Sequence, residues 1–544
     1  MIALLAGTFL TMGITFAKPV PSTCVGCSDV TINIPASTGA VAVPADFFGF
    51  GFESGLLPHY NNDFSENTVN AIQSRMSKPL VIRVGGTSGD HITYKKEQTK
   101  VAADCHSKKK SCNSLDTYTV GPDYFNALKR FKDSHWTLQA PMGDDMKLDD
   151  SMVFLQQAWD AATDKGANKA RVAAIALGNE PNWYKAYAVD GYIERSQKIE
   201  EQVVKDFKLK DGETRIFQTG EIAAEVAGKP DSDSKFTLMN LIKPLFKAKT
   251  TQQKNIKYAA EHYYQVIGSN NGGHEYNTAD LKDTLMNHKA ITNKLAPYAN
   301  DVKSLSAIDK SVPLVISEAG SAIGHTKVEF AGGFGAALWA VDFHLAAMDR
   351  GIQRVCNTHG PDATHAWWLP DDTSAHAKTP AVQGIFPAAP FITDFIGKDG
   401  QLGKIKEIDI KKEQNDHLSA YAMFDQKTGK VSRIAIINMR QWEYGPAVRP
   451  RYVAQIDIDK DVKSAVVHRM QSEHGAAALG FDLGGSQQNV TWNGEQWSYK
   501  VDKGRGHKVA GYEEERLTIN KDNNKKGHIS VNVWDTEAVI VYLS

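Results

Sequence analysis

Short apolar runs alternate with amphipathic segments between residue 45 and about residue 360. Helical spacing of apolar residues is clearest at 123–134, 151–166 and 333–351. Strands that are apolar on both faces and alternate with such helices indicate a parallel sheet covered by helices. Eight such units predict an α/β fold, an eight-stranded (β/α)8 TIM barrel. The predicted strands are 45–54, 79–86, 135–143, 171–180, 215–221, 256–264, 313–318 and 353–359.

A doubly wound open sheet is the alternative to the barrel. Its dinucleotide-binding signature is missing, because the glycines of GFGFESG (49–55) are spaced one residue away from G-x-G-x-x-G. No basic phosphate-binding group follows this run. The eighth barrel helix is the least regular, since 379–398 contains proline and glycine.

From about residue 400 the apolar residues recur with a period of two. The segment 417–440 predicts a hairpin and 528–544 a terminal pair of strands, so a C-terminal β-sandwich domain is expected. We predict a catalytic barrel at 43–398 and the sandwich at 399–544. The N-terminal segment 18–42 contains a strand-like run and is expected to pair with the sandwich.

The first 17 residues have the character of a signal peptide. An uncharged stretch from Ile2 ends in Thr15-Phe16-Ala17, with small residues where a signal peptidase cleaves. An apolar N-terminal strand or helix is the alternative. A signal peptide at 1–17 predicts a secreted, extracellular protein.

Cysteines and one sequon fit an exported chain. Cys105 and Cys112 flank a lysine-rich loop, and their separation suits a local disulfide. Cys356 lies in a strand-like run and is expected to be a buried free thiol. Asn489 begins the sequon N-V-T, a candidate glycosylation site.

Charge gives no support to a nucleic-acid or membrane partner. The formal net charge of the 544 residues is −1, and no internal segment resembles a membrane span. The lysines of residues 93–112 are expected to form a solvated loop, which follows the second strand and therefore lies on the active face.

Polar residues end many of the predicted barrel strands, on the face where barrels carry their chemistry. They are Glu53, Thr87, Asn179, Glu180, Glu221, His262, Tyr264 and Glu318. Glu180 and Glu318 end the fourth and seventh strands and can face each other across the barrel mouth. Facing carboxylates suit glycoside hydrolysis, in which one group protonates the leaving oxygen and the other attacks or activates water. A single strand-end glutamate can equally be a helix cap or part of a buried ion pair.

Other chemistries have weaker support. Ser88 lies in RVGGTSGD, which is not the G-x-S-x-G elbow of serine hydrolases. HEYNT at 274–278 is not H-E-x-x-H, so neither a metal site nor a cofactor is expected. Trp367 and Trp368 could form a sugar platform, although tryptophans at strand ends are as often part of the core. Tyr264 could donate a hydrogen bond to one of the two carboxylates and keep it ionised.

The motifs IRVGGTSGD, ALGNEPNWY, EHYY and ISEAGSAIGHTKVEF resemble glycoside hydrolase family 79, the β-glucuronidases and heparanases, particularly its secreted fungal members. The resemblance implies that Glu180 is the acid/base and Glu318 the nucleophile. It also implies that the substrate is contacted by Glu53, Thr87, Asn179, His262, Tyr264, Gly324 and His325. Of these, backbone amides at Gly324 and His325 are expected to bind the carboxylate of the sugar.

The expected function is that of a retaining exo-β-glucuronidase acting on glycosides or glycans that contain glucuronic acid. The alternatives are a neutral-sugar retaining β-glycosidase and a heparanase-like endo-β-glucuronidase. His325 replaces one of two adjacent glycines of heparanase, which favours exo action on small glucuronides. A catalytically inactive carbohydrate-binding barrel would be expected to lack one of the two glutamates, and both are present.

Overall fold

The structure, a computed structural model, describes residues 26–107, 114–228, 236–247, 251–360, 363–398, 403–410, 416–521 and 526–544. The predicted signal peptide at residues 1–17 lies outside the described residues and stays a prediction.

Eight parallel strands close into a barrel in chain order, which confirms the predicted fold. They are β1 (Phe48–Glu53), β2 (Val81–Gly85), β3 (His135–Ala140), β4 (Val172–Leu177), β5 (Phe217–Ile222), β6 (Ile256–Ile267), β7 (Leu314–Ile323) and β8 (Val355–His359). Every residue of β4 and β5 is buried. This burial follows from their position between the barrel interior and the helical layer, where both faces of a strand are covered.

A layer of helices surrounds the barrel. The principal ones are α1 (Asp63–Gln73), α2 (Asn126–Arg130), α3 (Leu148–Thr163), α4 (Val189–Asp206), α5 (Leu238–Lys247), α6 (His288–Ile308), α7 (Phe334–Asp349) and α8 (Ala388–Ile396). Helix α1 begins where the side chain of Asn62 accepts a hydrogen bond from the Ser65 amide, a typical N-cap. Pro390 lies in the first turn of α8, where a helix tolerates proline.

One helical segment is apolar all round. The segment Val328–Asp349 is long and apolar enough to cross a membrane by length and composition, a feature not predicted from the sequence. The apolar window of this segment is completely buried. Helix α7 packs against β7, α6, α8 and a sandwich strand, Gly403–Glu407, so its composition is that of a core helix covered on every side.

Two β-sheets form the C-terminal domain. The smaller sheet contains Cys27–Ile32, Arg451–Ile458, Asn520–Lys521 and Gly527–Trp534. The larger sheet contains Val41–Ala42, Gly403–Glu407, Leu418–Asp425, Val431–Asn438, Ala465–Ser472, Val490–Trp492, Glu495–Gln496, His507–Lys508, Glu515–Arg516 and Glu537–Leu543. Apolar residues of both sheets form one shared core.

The first and last strands of the described residues both belong to this domain. Strand Cys27–Ile32 pairs in parallel with Arg451–Ile458, so the N-terminal segment adds a strand to the smaller sheet. The two C-terminal strands do not pair with each other as a hairpin. Gly527–Trp534 joins the smaller sheet and Glu537–Leu543 the larger one, and the chain crosses between them through Thr536 at φ 59°.

The described residues after β2 include short strands where only a loop was predicted. Ile92–Tyr94, Asp104–His106 and Thr117–Val120 form a small three-stranded sheet. Cys105 is disulfide-bonded, but Cys112 lies outside the described residues, so their pairing stays a prediction. Cys356 is a buried free thiol, as predicted.

A buried charge network joins the barrel to the sandwich. Asp342 of α7 accepts hydrogen bonds from Ser419 Oγ at 2.6 Å and Tyr421 Oη at 2.8 Å. His288 Nδ1 lies 2.9 Å from Asp342, and its Nε2 lies 3.1 Å from Glu407. Burial disfavours the charged ring, but these carboxylates raise the pKa of His288 to about 10. A protonated imidazole therefore links the two domains.

Candidate active site

The barrel brings the two predicted glutamates together. Glu180 immediately precedes the turn Pro181–Trp183 after β4, and Glu318 lies within β7. One carboxylate oxygen of each lies within 4.8 Å of the other and of a ring nitrogen of His262. The side chain of Glu180 is 18% exposed and that of Glu318 is 9% exposed, so both groups can be reached by a ligand in the barrel mouth.

Two glutamates at this end have an unusual backbone. Glu180 and Glu221 both adopt φ 48°, in the left-handed region that non-glycine residues rarely occupy. The amide of Glu180 donates to the carbonyl oxygen of Glu221 at 3.0 Å, which connects the ends of β4 and β5. Strained conformations of this kind persist where the surrounding structure enforces them, commonly at functional sites.

Strands β6 and β7 continue past the glutamate level as a paired extension. His262 pairs with Glu318 and Tyr264 with Gly320, and pairing continues to Ile267. Since side chains alternate along a strand, His262 and Tyr264 point to one side, towards Glu318. The hydroxyl of Tyr264 donates to Glu318 Oε1 at 2.7 Å, the contact that the sequence analysis expected.

Two buried cations bridge the carboxylates. Arg83 Nη1 donates to Glu318 Oε2 at 2.9 Å, and its Nη2 lies 3.1 Å from Glu221 Oε2. His262 Nδ1 lies 2.9 Å from Glu180 Oε1, and its Nε2 lies 3.1 Å from Glu221 Oε2. The side chains of Glu221 and His262 are fully buried. His262, expected to contact substrate, thus has both ring nitrogens occupied by carboxylates and supports Glu180 from within the barrel.

These contacts separate the protonation states of the carboxyl groups. Burial alone would raise the pKa of Glu318, but the charges of His262 and Arg83 lower it below its usual range. The same cations outweigh burial at Glu221 and lower its pKa to about 2. Burial raises the pKa of Glu180, and the nearby charge of Glu318 acts in the same direction. The site therefore contains one carboxyl that favours the protonated form beside one that favours the ionised form.

A third carboxyl lines the site from β1. Glu53 accepts hydrogen bonds from both the amide of Ser88, at 2.7 Å, and its hydroxyl. Burial, followed by the charge of Glu318, raises the pKa of Glu53 to about 7. Thr87 lies beside Ser88, with its Oγ1 3.5 Å from Asn179 Nδ2. These side chains can offer hydrogen-bond donors and acceptors to sugar hydroxyls.

Asn179 is held from two directions. Its Oδ1 accepts from Arg83 Nη2 at 2.7 Å. Its amide donates to Asp90 Oδ2 at 3.1 Å, and the same carboxylate oxygen accepts from the Tyr184 hydroxyl at 2.5 Å. Asp90 is fully buried, and burial raises its pKa to about 7. The segment Asn179–Glu180 is thus fixed by side chains from β2 and the turn that follows it.

The predicted carboxylate-binding amides have a different environment. Gly324 has φ +84° and begins an exposed turn after β7. The amide of His325 donates to the Asn270 side chain. Among the described residues, no hydrogen bond or ion pair connects Gly324 or His325 with Glu180 or Glu318. An anion could use the His325 amide only after displacing Asn270.

The tryptophans considered as a sugar platform belong to the core. Trp367 is 2% exposed and Trp368 fully buried. Phe50 contacts both rings edge-on at centroid distances of 5.8 and 5.1 Å. A sugar has no access to either indole face.

Two supporting residues, Arg83 and Asp90, were missed from the sequence, and a third, Glu221, was given no role. Arg83 is surrounded by apolar residues in β2 and looked like part of a buried strand. Asp90 lies in a loop and Glu221 was noted only as a strand end. A charged residue inside an apolar barrel strand is the signal that could have identified Arg83, because a buried charge requires partners.

Glu180, His262 and Glu318 could each offer one atom to a metal ion. Metal binding would require a neutral His262 nitrogen. The surrounding carboxylates instead overcome burial and raise the pKa of His262 to about 10. With Arg83 at 2.9 Å from Glu318, the carboxylates already have two cationic partners, so these residues fit acid–base chemistry better than metal binding.

Comparison with known proteins identifies the C-terminal domain and full-length relatives. Residues 420–540 match the glycosyl hydrolase family 79 C-terminal beta domain. A β-glucuronidase of Neurospora crassa is 23% identical over 569 residues, covering 92% of this chain and 96% of the relative. A β-glucuronidase of Aspergillus niger is 23% identical over 527 residues, covering 89% and 88% respectively.

Solved structures show the same two-domain architecture. A 4-O-α-L-rhamnosyl-β-D-glucuronidase from Fusarium oxysporum 12S superposes with a TM-score of 0.73 at 19% identity, over 94% of this chain and 100% of that one. A family 51 α-L-arabinofuranosidase from Bifidobacterium longum gives 0.57 at 12% identity, over 95% and 99%. These two likenesses show the fold. Together with the matched C-terminal domain and the fungal relatives that span the barrel, they show that the chain is a glycoside hydrolase that resembles family 79 over both of its domains.

Proposed function

We propose that the protein is a retaining exo-β-glucuronidase in which Glu180 is the acid/base and Glu318 the nucleophile. The observation that carries the proposal is the pair of facing carboxyl groups with opposite protonation preferences. Oxygens of Glu180 and Glu318 lie within 4.8 Å, and the pKa is raised for the first and lowered for the second. An acid beside an ionised nucleophile is what the first step of glycoside hydrolysis requires.

In that first step, a Glu318 oxygen attacks the anomeric carbon and the bond from that carbon to the aglycone oxygen breaks. The proton of Glu180 goes to the leaving oxygen. In the second step, Glu180, now ionised, takes a proton from water, and the water oxygen displaces Glu318 from the anomeric carbon. Both residues return to their starting protonation states.

The separation of the carboxyl groups supports retention over inversion. Retaining enzymes place them about 5–5.5 Å apart, whereas inverting enzymes need about 6.5–9.5 Å to admit a water between carboxylate and sugar. One oxygen of Glu180 lies within 4.8 Å of one oxygen of Glu318, which supports the shorter separation of a retaining enzyme.

Selection for a uronic acid rests on the relatives named β-glucuronidases. A donor for the sugar carboxylate is available at His365, which is partly buried beside Tyr264 at a ring distance of 5.9 Å. Its Nε2 has no hydrogen-bond partner among the described residues. Burial lowers the pKa of His365 to about 4, so the neutral ring can donate an N–H bond to a carboxylate. Gly324 and His325 are the second candidate donors.

The exported location is also part of the proposal. Cys27 and Cys105 are disulfide-bonded, and disulfides form and persist in oxidising compartments. Exo action on small glucuronides is proposed because His325 replaces a glycine of the heparanase motif.

Nitrophenyl β-glycosides that differ only at C5 test the substrate. We expect kcat/KM for the β-glucuronide to exceed that for the β-glucoside by at least about a hundredfold, roughly 2.7 kcal/mol of differential transition-state binding. Comparable rates would remove the uronate assignment and favour a neutral-sugar glycosidase. Proton NMR of the first-formed product tests retention separately, since an initial α-anomer would show inversion.

A further inference from the structure

Trp183 is a large apolar side chain held in solvent next to the proposed acid. It is 58% exposed and lies three residues after Glu180, at the end of the turn Pro181–Trp183. A single exposed apolar side chain is ordinary on a protein surface. Trp183 differs from an ordinary exposed residue because it lies close in sequence to the proposed acid and because hydrogen bonds fix its backbone.

Hydrogen bonds on both sides of Trp183 fix the turn. The Trp183 amide donates to the Glu180 carbonyl at 2.9 Å. The side chain of the preceding Asn182 accepts from the Ala223 amide at 3.0 Å, which attaches the turn to the end of β5. The following Tyr184 turns inward, and its hydroxyl donates to buried Asp90 at 2.5 Å. With both neighbours anchored inward, the indole is directed outward on a pre-organised backbone.

The chemistry of the site determines which part of the substrate lies near this indole. The acid must contact the glycosidic oxygen, so the aglycone has to leave past Glu180. Glu180 is also the more exposed of the two proposed catalytic carboxyl groups, at 18% against 9% for Glu318. The turn that carries Trp183 therefore adjoins the side of Glu180 on which the aglycone is expected to leave.

We propose that Trp183 forms an aglycone-binding platform, on which a pyranose ring linked to the glucuronic acid stacks. This inference rests on the proposed function and adds the class of aglycone. Sugar rings present an apolar C–H face, and an aromatic ring buries such a face while its edge remains solvated. A methyl or other small aglycone would not reach the indole.

Three β-glucuronides test the platform, with methyl, nitrophenyl and pyranose aglycones. For Trp183→Ala we expect kcat/KM to fall about tenfold or more with the pyranose aglycone, chiefly through KM, and to change less than about twofold with methyl. Trp183→Phe retains a ring and should restore most of the activity. Tyr444→Ala removes another exposed aromatic, 72% exposed in the sandwich, and should leave all three substrates unchanged.

Two outcomes would contradict the aglycone platform. Equal losses on all three aglycones would show that Trp183 only supports the Glu180 turn, and unchanged kinetics would show that the indole makes no contact; either result overturns the platform. A Tm of Trp183→Ala well below that of the wild type identifies a folding defect. In that case Trp183→Gln, which keeps a long side chain without a ring, is compared across the three aglycones and should show the same selective loss. If the wild type prefers another sugar, the proposed function fails, and the same aglycone series on that sugar still tests Trp183.

Discussion

Replacing Tyr264 by phenylalanine should make the proposed nucleophile harder to ionise. The Tyr264 hydroxyl donates to Glu318 Oε1 at 2.7 Å, while Arg83 Nη1 occupies Oε2 at 2.9 Å. Phenylalanine keeps the ring and its packing but removes the donor. One oxygen of a buried carboxylate then loses its hydrogen bond, and the ionised form of Glu318 is destabilised relative to the protonated form.

The size of the effect follows from the type of bond. A hydrogen bond to a charged group contributes about 1.5–3 kcal/mol, and one pKa unit corresponds to about 1.36 kcal/mol. The pKa of Glu318 should therefore rise by about one to two units. Arg83 and His262 remain in place, so the residue keeps its electrostatic stabilisation and the site should remain folded.

The pH dependence of kcat/KM measures this pKa directly, because its acidic limb reports an essential base of the free enzyme. Activity is lost as pH falls through the pKa of Glu318, so a raised pKa moves the acidic limb upward by about one to two pH units. Tyr60→Phe is the matched control, because the buried Tyr60 hydroxyl has no hydrogen-bond partner among the described residues. A correctly folded Tyr264→Phe enzyme with an unshifted acidic limb would refute the assignment of Glu318 as the ionised group.

Two further predictions concern the acid and the domain interface. Glu180→Ala should slow glucuronides with poor leaving groups far more than nitrophenyl glucuronides, which need no proton; equal losses, measured as kcat/KM against leaving-group pKa, would contradict the acid role. His288→Gln removes a buried ion pair with Asp342 and should lower the free energy of unfolding at pH 6 by about 3–5 kcal/mol. The Tm at pH 6 should fall accordingly. Because the folded-state pKa of His288 is raised to about 10, that stabilisation is complete below the unfolded pKa near 6.5 and disappears as pH rises through about 10. A Tm difference that persists unchanged at pH 10.5 would show that the charge of His288 does not stabilise the interface.

The barrel could be predicted because each of its strands and helices has a recognisable pattern of apolar residues within a short stretch of sequence. Both faces of each strand are buried, so each strand is a short apolar run, and the intervening helices have the spacing of 3.6 residues that covers such a sheet. Glu180 and Glu318 could be identified for the same reason, since a carboxylate that interrupts or ends an apolar run is conspicuous. Strand ends were less accurate, because β6 and β7 continue to Ile267 and Ile323 by pairing with each other above the barrel mouth.

The electrostatic arrangement of the site could not be predicted from spacing. Arg83 contacts Asn179 and Glu318 across 96 and 235 residues of chain, and only the closed barrel shows that these side chains meet. Trp367 was ambiguous because an indole near a strand end can line a site or fill the core. The exposure of the Trp183 ring could not be predicted either, because it follows from the contacts that Asn182 and Tyr184 make with distant residues.

The roles of the four glutamates around the mouth follow from which cations each one contacts. Glu221 contacts both Arg83 and His262, and its pKa is lowered to about 2. Glu318 contacts Arg83 at 2.9 Å, with His262 at 3.9 Å, and is also held ionised. His262 Nδ1 also lies 2.9 Å from Glu180, but two cations already balance two anions, so a further negative charge on Glu180 would leave this buried site with a net negative charge. In the proposed mechanism Glu180 therefore keeps its proton until a leaving oxygen takes it, and Glu53, with a pKa raised to about 7, is a candidate for hydrogen bonds to the sugar.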